Sequence, residues 1–127
     1  MEKKKEVLVV DDEYDFRQLM TVWLESKGYS VITAPDGETA IRLVKEHKPD
    51  IMFLDLNMPV LNGIDTLKRI RKFDKDLPII VISAYLDQMS LKEAKPYKIS
   101  GVFYKGEDFE KGLVLLESVM RIHKKLK

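Results

Sequence analysis

Short apolar runs alternate with longer amphipathic segments along the whole chain. The apolar runs are rich in Val, Ile and Phe and are nearly uninterrupted, which is typical of strands covered by helices on both faces. Between these runs, hydrophobic residues recur at helical spacing; the first such stripe comprises Phe16, Leu19, Met20, Trp23 and Leu24. The pattern predicts strands at 7–10, 30–34, 51–54, 78–83 and 101–104, separated by helices.

Turn-forming residues mark the boundaries between these segments. Gly28 follows the first predicted helix, Pro35 and Gly37 stand before the second, and Pro49 precedes the third strand. Connections long enough to hold a helix join parallel strands by right-handed crossovers. We therefore expect a doubly wound α/β fold with a five-stranded parallel sheet. In such folds ligands bind at the carboxyl ends of the strands, beside the switch in strand order.

Composition narrows the class of protein. The 127 residues are 45% hydrophobic and 34% charged, which fits one globular domain over residues 1–127. A net charge of +1 argues against nucleic acid or an anionic membrane as a partner, and the absence of cysteine excludes disulfides and thiolate metal sites. The charged N-terminus runs into about four apolar residues, too few for a signal peptide or a membrane span. We expect a soluble cytoplasmic domain without an output domain.

Acidic residues directly follow two of the predicted strands. Asp11 and Asp12 end the first strand, and Asp55 ends the third. Because the carboxyl ends of parallel strands share one edge, these carboxylates should gather and repel one another by roughly 4 kcal/mol per pair at about 4 Å and an effective dielectric near 20. A divalent cation would offset this repulsion. Mg²⁺ suits the position because it prefers hard oxygen ligands and needs only one or two protein carboxylates beside phosphate oxygens.

A structural interpretation of the acidic pair stays open. Asp11 or Asp12 could cap the first helix, since a carboxylate there accepts hydrogen bonds from free N–H groups and suits the helix dipole. A cap does not account for Asp55 on another strand, so the three acids together favour metal binding.

The fourth and fifth strands also end in polar residues, Ser83 and Lys105. Alone, each has an ordinary interpretation, as a turn hydroxyl and a solvated lysine. Together with the acids they complete a chemical set. A carboxylate that attacks a phosphoryl group needs a cation on the developing oxyanions, a hydroxyl donor and an ammonium partner.

As a set, these residues resemble the receiver domain of two-component response regulators. The resemblance covers essentially the whole chain and includes the stretch 55–59, with Gly63 four residues beyond Pro59. It implies a flavodoxin-like receiver fold with strand order 2-1-3-4-5 and five helices. Two positions depart from the family pattern, Gly106 and Val102, as described below. They leave open a degenerate receiver that binds proteins without being phosphorylated.

The resemblance also assigns roles to single residues. It makes Asp55 the phosphoacceptor, with Ser83 sensing the phosphate and Lys105 as its ion-pair partner. It places Mg²⁺, or Mn²⁺ as an alternative ion, on Asp11, Asp12, Asp55 and the backbone carbonyl of Asn57.

The implied function is signalling rather than turnover of an external substrate. The phosphoryl group would come from a histidine kinase or a histidine phosphotransfer protein. The residues expected to contact that partner are Tyr14, Arg17, Gln18, Met58 and Pro59. Output would go to a downstream protein through the face formed by the fourth helix, fifth strand and fifth helix, with no direct contact to nucleic acid or membrane.

The fifth helix carries a second apolar stripe beside its core stripe. A broad buried face would explain this second stripe, and so would a partner surface or a homodimer through that helix. The stripe comprises Leu115, Val119, Ile122 and Leu126.

Three positions depart from the family pattern or from regular helix. Gly106 stands where the family has a cis proline, so we expect a trans peptide and a Lys105 held less rigidly. Val102 stands at the position of the switch aromatic, and the alternatives are a substitute aromatic, Tyr104 or Tyr85, or a switch that uses backbone movement alone. Pro96 predicts a short or broken fourth helix.

Two other classes of protein share parts of this pattern. A flavodoxin-like cofactor binder is disfavoured because the acids at 11–13 would repel a phosphate at that loop. A haloacid-dehalogenase-type phosphohydrolase places a second aspartate two residues after its nucleophile. Two residues after Asp11 this chain has Glu13, and two residues after Asp55 it has Asn57, so this class is also disfavoured.

Overall fold

The computed structural model describes residues 4–84 and 88–126, and of residues 123–126 it describes the backbone alone. Five parallel strands form one sheet in the order β2-β1-β3-β4-β5. This confirms both the doubly wound fold and the strand order. The strands are β1 (Glu6–Val10), β2 (Ser30–Ala34), β3 (Ile51–Asp55), β4 (Ile79–Ser83) and β5 (Gly101–Tyr104).

Helices connect the strands and cover both faces of the sheet. Two of them begin at side-chain caps, in which Asp36 and Asn62 accept hydrogen bonds from the backbone N–H three residues later. The helices are α1 (Tyr14–Ser26), α2 (Gly37–His47), α3 (Gly63–Phe73), α4 (Gln88–Ala94) and α5 (Phe109–Leu126).

Successive side chains of each strand point to opposite faces of the sheet, and this divides the core into two layers. On β1, for example, Leu8 and Val10 face the layer that contains α2, α3 and α4, whereas Val7 and Val9 face α1 and α5. Strands buried on both faces explain the continuous apolar runs of the sequence. The core therefore surrounds the sheet and leaves its strand ends free for polar side chains.

The predicted stripe of α1 is wrong at one position. Met20 and Leu24 are buried, and Phe16 and Trp23 pack against the same layer, but Leu19 is 58% exposed. Leu19 precedes Met20 by about 100° around the helix, which carries it past the edge of the buried sector.

The fourth helix is short, as Pro96 predicted. It ends at Ala94 and passes into a single 3-10 turn, Lys95–Tyr97, that contains the proline. Three backbone carbonyls around this turn and the end of α3 accept hydrogen bonds from the Arg71 guanidinium. The α4–β5 connection is thus tied to α3.

The second stripe of α5 is mostly part of the core. Val119 is buried, and Leu115 packs against Gly101 at the start of β5. Ile122, in contrast, is 60% exposed, and the side chain of Leu126 lies outside the described part. The broad buried face therefore accounts for Leu115 and Val119 but not for Ile122.

Val60, in the loop between β3 and α3, has a backbone conformation that disfavours its side chain. Its φ is 65° and its side chain is fully exposed, so no free energy of hydrophobic burial offsets the backbone strain. We expect Val60→Gly to stabilise the fold by about 0.5–1 kcal/mol, the left-handed strain less the extra chain entropy of glycine. Urea unfolding measures this change.

Val22 supplies the control for that experiment. It is also an exposed valine, but it lies inside α1. Val22→Gly should destabilise the protein by a few tenths of a kcal/mol to about 1 kcal/mol, because glycine is a poor helix former. Equal losses of stability in the two variants would show that Val60 is unstrained.

Candidate functional site

Three acids meet at the carboxyl edge of the sheet. β1 and β3 are neighbours in register, with Val10 beside Leu54, so Asp11 comes to lie next to Asp55. Asp11 is 0% and Asp55 3% exposed, whereas Asp12 faces solvent. One oxygen from each of the three side chains lies within 4.8 Å of the others. The predicted gathering of these acids is confirmed.

Backbone contacts hold the loop that follows β1. The amide of Asp11 donates to the carbonyl of Ala34 at 3.1 Å, and the Arg17 guanidinium donates to the carbonyl of Asp11 at 2.6 Å. The Asp11 Oδ1 atom accepts from the Glu13 amide at 2.8 Å. The N-cap residue of α1 is Glu13, not either aspartate. The capping interpretation of the acidic pair is therefore wrong, since Asp11 closes a turn before the helix begins.

Asp55 is fixed through one carboxylate oxygen and through its backbone. Its Oδ1 atom accepts from the Asn57 amide at 2.9 Å. The next residue, Leu56, donates to the Ile82 carbonyl at 3.1 Å, and its own carbonyl accepts from Gly63 at 3.2 Å. The start of α3 therefore packs directly on the backbone beside Asp55.

The Oδ2 atoms of the two buried acids, Asp11 and Asp55, face the Lys105 ammonium and accept no assigned hydrogen bond from the part of the chain that the structure describes. The Lys105 ammonium lies 3.0 Å from the first and 3.6 Å from the second, which is ion-pair distance. Buried carboxylate oxygens without donors are the ligands that a hard cation such as Mg²⁺ prefers. These carboxylate oxygens therefore fit a divalent cation as its ligands.

Burial and mutual repulsion change the pKa values of these acids. Burial, reinforced by the charge of Asp11, raises the pKa of Asp55 to about 7, although the Asn57 amide and Lys105 act in the opposite direction. Burial also raises the pKa of Asp11 against the hydrogen bonds from Glu13 and Lys105. In the absence of a cation, negative charge at this edge is therefore disfavoured.

Lys105 lies at the centre of the charge arrangement. Its ammonium contacts carboxylate oxygens of Asp11, Glu13 and Asp55, and it lies 5.0 Å from the centre of the Phe16 ring. Burial alone would lower the pKa of Lys105, but the hydrogen bonds to Glu13 and Asp11 and the charge of Asp55 raise it above its ordinary value. Lys105 therefore stays protonated.

A turn beyond β5 delivers Lys105 to this position. The Glu107 amide donates to the Tyr104 carbonyl at 3.1 Å, and the Glu107 side chain accepts from the Tyr104 amide at 3.0 Å. Gly106 has φ 94°, the left-handed value that the third residue of such a turn requires. The peptide after Lys105 is trans, as predicted. The trans peptide is therefore confirmed, and the less rigid hold on Lys105 stays a prediction.

The remaining predicted site residues lie at the same edge. Ser83 ends β4, is buried, and donates its hydroxyl to the Ala84 carbonyl at 3.1 Å. Asn57 is exposed, and its backbone N–H donates a hydrogen bond to the Asp55 carboxylate. The contribution of its carbonyl to a metal site stays a prediction.

The predicted switch positions are partly described. Val102 and Tyr104 are half-buried and pack against the same core layer, while Phe103 belongs to the opposite layer. Tyr85 lies outside the described residues.

The contact of Glu13 with Lys105 was not predicted from the sequence, where Glu13 counts only as a further negative charge. The contact joins residues 92 positions apart. The signal available was a third acid directly after the pair, at the start of the helix.

Comparison with known proteins gives one consistent result. A family model described as the response regulator receiver domain matches residues 7–117. The transcriptional regulatory protein PrrA of Mycobacterium tuberculosis is 36% identical over 117 residues, which cover 91% of this chain and 47% of that protein. Sporulation initiation phosphotransferase F of Bacillus subtilis is 32% identical over 91 residues, covering 72% of this chain and 73% of that protein.

Solved structures agree with these relatives. The chemotaxis protein CheY4 of Vibrio cholerae superposes with a TM-score of 0.83 at 30% identity, covering 92% of this chain and 99% of that chain. A receiver domain protein from Clostridium thermocellum has a TM-score of 0.90 at 24% identity, covering 97% and 99% of the two chains, which supports the fold alone.

The chain is shorter than several of its relatives. It spans only 34% to 47% of the length of transcriptional regulators such as ycf27 of Guillardia theta and PrrA. Among the residues that the structure describes, no helix is long and apolar enough to cross a membrane.

Proposed function

Because this chain belongs to the response regulator receiver domain family, we propose that Asp55 accepts a phosphoryl group from a phosphohistidine of a histidine kinase or phosphotransfer protein. The observation that carries the proposal is the state of the Asp55 carboxylate. One oxygen is held by the Asn57 amide, and the other receives no hydrogen bond from the described residues and lies 3.6 Å from Lys105. An oriented carboxylate with a free lone pair beside a cation is suited to nucleophilic attack.

In the proposed reaction, the free Oδ2 atom of Asp55 attacks the phosphorus atom of the donor. A new P–O bond forms while the P–N bond to the donor imidazole breaks, and the electron pair of that bond stays on the imidazole nitrogen. Lys105 supplies positive charge close to the phosphoryl oxygens. The product is an acyl phosphate on Asp55.

Asp11, Asp12, Asp55 and the backbone carbonyl of Asn57 would hold Mg²⁺, with Mn²⁺ as an alternative ion. When bound, the ion supplies positive charge that offsets the negative charge of the carboxylates and of the incoming phosphoryl oxygens. The Oδ2 atoms of Asp11 and Asp55, which accept no hydrogen bond from the described residues, support this assignment.

Ser83 is proposed to sense the phosphoryl group. Its buried hydroxyl, on the strand next to Asp55, would exchange the Ala84 carbonyl for a phosphoryl oxygen. That exchange would change the β4–α4 region and, through it, a face for a downstream protein formed by α4, β5 and α5.

The donor is proposed to dock beside the acidic edge, at the start of α1 and on the loop after β3. Tyr14 is exposed and Arg17 half-buried there, and Gln18 and Pro59 are exposed, whereas Met58 is buried and is a poor candidate for contact. The similarity to a protein named a phosphotransferase, over most of its length, supports a role in phosphoryl relay.

Chemical phosphorylation tests the proposal without a kinase. The purified chain is incubated with acetyl phosphate and Mg²⁺, and intact mass with peptide mapping locates the product. We expect one phosphoryl group per chain on Asp55, and no labelling when a chelator replaces Mg²⁺. Wild-type protein that stays unlabelled in Mg²⁺ would favour the degenerate receiver instead.

A further inference from the structure

Of the acids that the structure describes, Glu13 is the nearest to the Lys105 ammonium. The two groups form an ion pair shorter than the contacts of Lys105 with Asp11, at 3.0 Å, and with Asp55, at 3.6 Å. Lys105 is thus drawn toward the start of α1, where the Phe16 ring also contacts it. Lys105 lies closer to Glu13 than to the proposed phosphoacceptor, Asp55.

The backbone fixes the direction in which Glu13 points. Its amide donates to Asp11 Oδ1 at 2.8 Å, and its carbonyl accepts from the Arg17 amide at 3.1 Å. As the N-cap residue it would ordinarily bond the first amides of the helix, but its side chain makes no such bond. The carboxylate instead reaches Lys105, a contact that leaves Glu13 63% exposed.

We propose that Glu13 is a positioning residue that competes with the phosphoryl group on Asp55 for Lys105. This inference rests on the proposed function of Asp55. Phosphorylation would draw the Lys105 ammonium from Glu13 toward the new phosphoryl oxygens, leaving Glu13 without its partner at the start of α1. Glu13 therefore opposes formation of the acyl phosphate and favours the unphosphorylated arrangement.

The size of the effect follows from the geometry. Glu13 and Asp55 contact the same ammonium, so the Glu13 charge lies close to the oxygen that would carry the phosphoryl group. For two unit charges about 6 Å apart in a mostly aqueous setting, Coulomb's law predicts a change of about threefold to tenfold in rate. The pair is too exposed to contribute much to stability. Its removal should therefore alter phosphorylation without altering folding.

The test compares Glu13→Gln with wild type and two controls. Asp15→Asn removes the same charge from an exposed acid in the same first turn, and Glu13→Asp keeps the charge at position 13. The rate of Asp55 labelling by acetyl phosphate is measured at a fixed Mg²⁺ concentration. The Lys105 side-chain NMR resonance, assigned with Lys105→Arg, is followed in the unphosphorylated proteins. Urea midpoints report on folding.

We expect Glu13→Gln to label about threefold to tenfold faster than Asp15→Asn. We also expect it to shift the Lys105 resonance and to unfold at the wild-type urea concentration, while Glu13→Asp returns toward the wild-type rate. Equal labelling rates for Glu13→Gln and Asp15→Asn, with wild type labelled on Asp55, would overturn this inference and leave the proposed function standing. Wild type that is never labelled would overturn both, whatever the NMR spectrum shows.

Discussion

Replacing Asp55 by asparagine is expected to abolish phosphoryl labelling and, in the absence of a divalent cation, to stabilise the protein. Labelling is lost because an amide oxygen is a far weaker nucleophile than a carboxylate and cannot form the acyl phosphate. Stability rises because a buried charge that faces Asp11 is removed while the hydrogen bond from the Asn57 amide is kept.

The gain in stability should depend on pH in a defined way. The pKa of Asp55 rises from 3.8 to about 7 on folding, so the folded wild type binds a proton more tightly than the unfolded chain. Wild-type stability therefore falls, relative to the variant, as pH increases from about 4 to about 7. The difference should reach the order of 2–4 kcal/mol near neutral pH.

Urea unfolding in chelator at several pH values measures this difference, and the acetyl phosphate assay measures labelling. Asp15→Asn is the matched control, since it removes an exposed acid of the same charge outside the cluster. It should label like wild type and show no comparable gain. Asp55→Asn protein that is still labelled would show that another residue is the acceptor.

Replacing Gly63 by alanine is expected to disrupt the fold beside the site. A Cβ atom at this position would lie 2.2 Å from the carbonyl oxygen of Asp55 and 2.4 Å from the Cα atom of Leu56. Both obstacles are backbone atoms of the segment that carries Asp55, so no side-chain rotation can relieve the clash. We expect a loss of about 3 kcal/mol or more in the free energy of unfolding, together with loss of labelling.

Gly112→Ala supplies the comparison for that substitution. A Cβ atom there would lie 3.2 Å from the nearest atom of the Phe103 ring, a side chain that can adjust slightly, and alanine is the better helix former inside α5. This variant should unfold within about 1 kcal/mol of wild type. A Gly63→Ala protein as stable as Gly112→Ala would mean that α3 does not pack closely on the Asp55 backbone.

The sequence predicted the sheet and the gathering of the acids because both follow from local patterns. Continuous apolar runs identify strands buried on both faces, and in a parallel sheet the residue after each strand must lie on one edge. Asp11, Asp55 and Lys105 therefore came together as expected. This part of the site needs no knowledge of side-chain conformations.

The sequence could not predict contacts that depend on the direction of single side chains. Leu19 has the right spacing for the core but lies just outside the buried sector. Glu13 meets Lys105 only because the turn at Asp11 aims it across the sheet edge, and the Ser83 hydroxyl bonds a carbonyl one residue away rather than the acid cluster. These features depend on the directions of individual side chains, which hydrophobic spacing does not report.

Calorimetric titration of the metal-free protein with Mg²⁺ tests most directly whether the clustered acids form a cation site. We predict saturable binding of one ion, with affinity reduced about tenfold or more in Asp12→Asn and unchanged in Asp15→Asn. Wild-type protein that shows no saturable binding at millimolar Mg²⁺, or Asp12→Asn protein that binds as wild type does, would contradict the assignment.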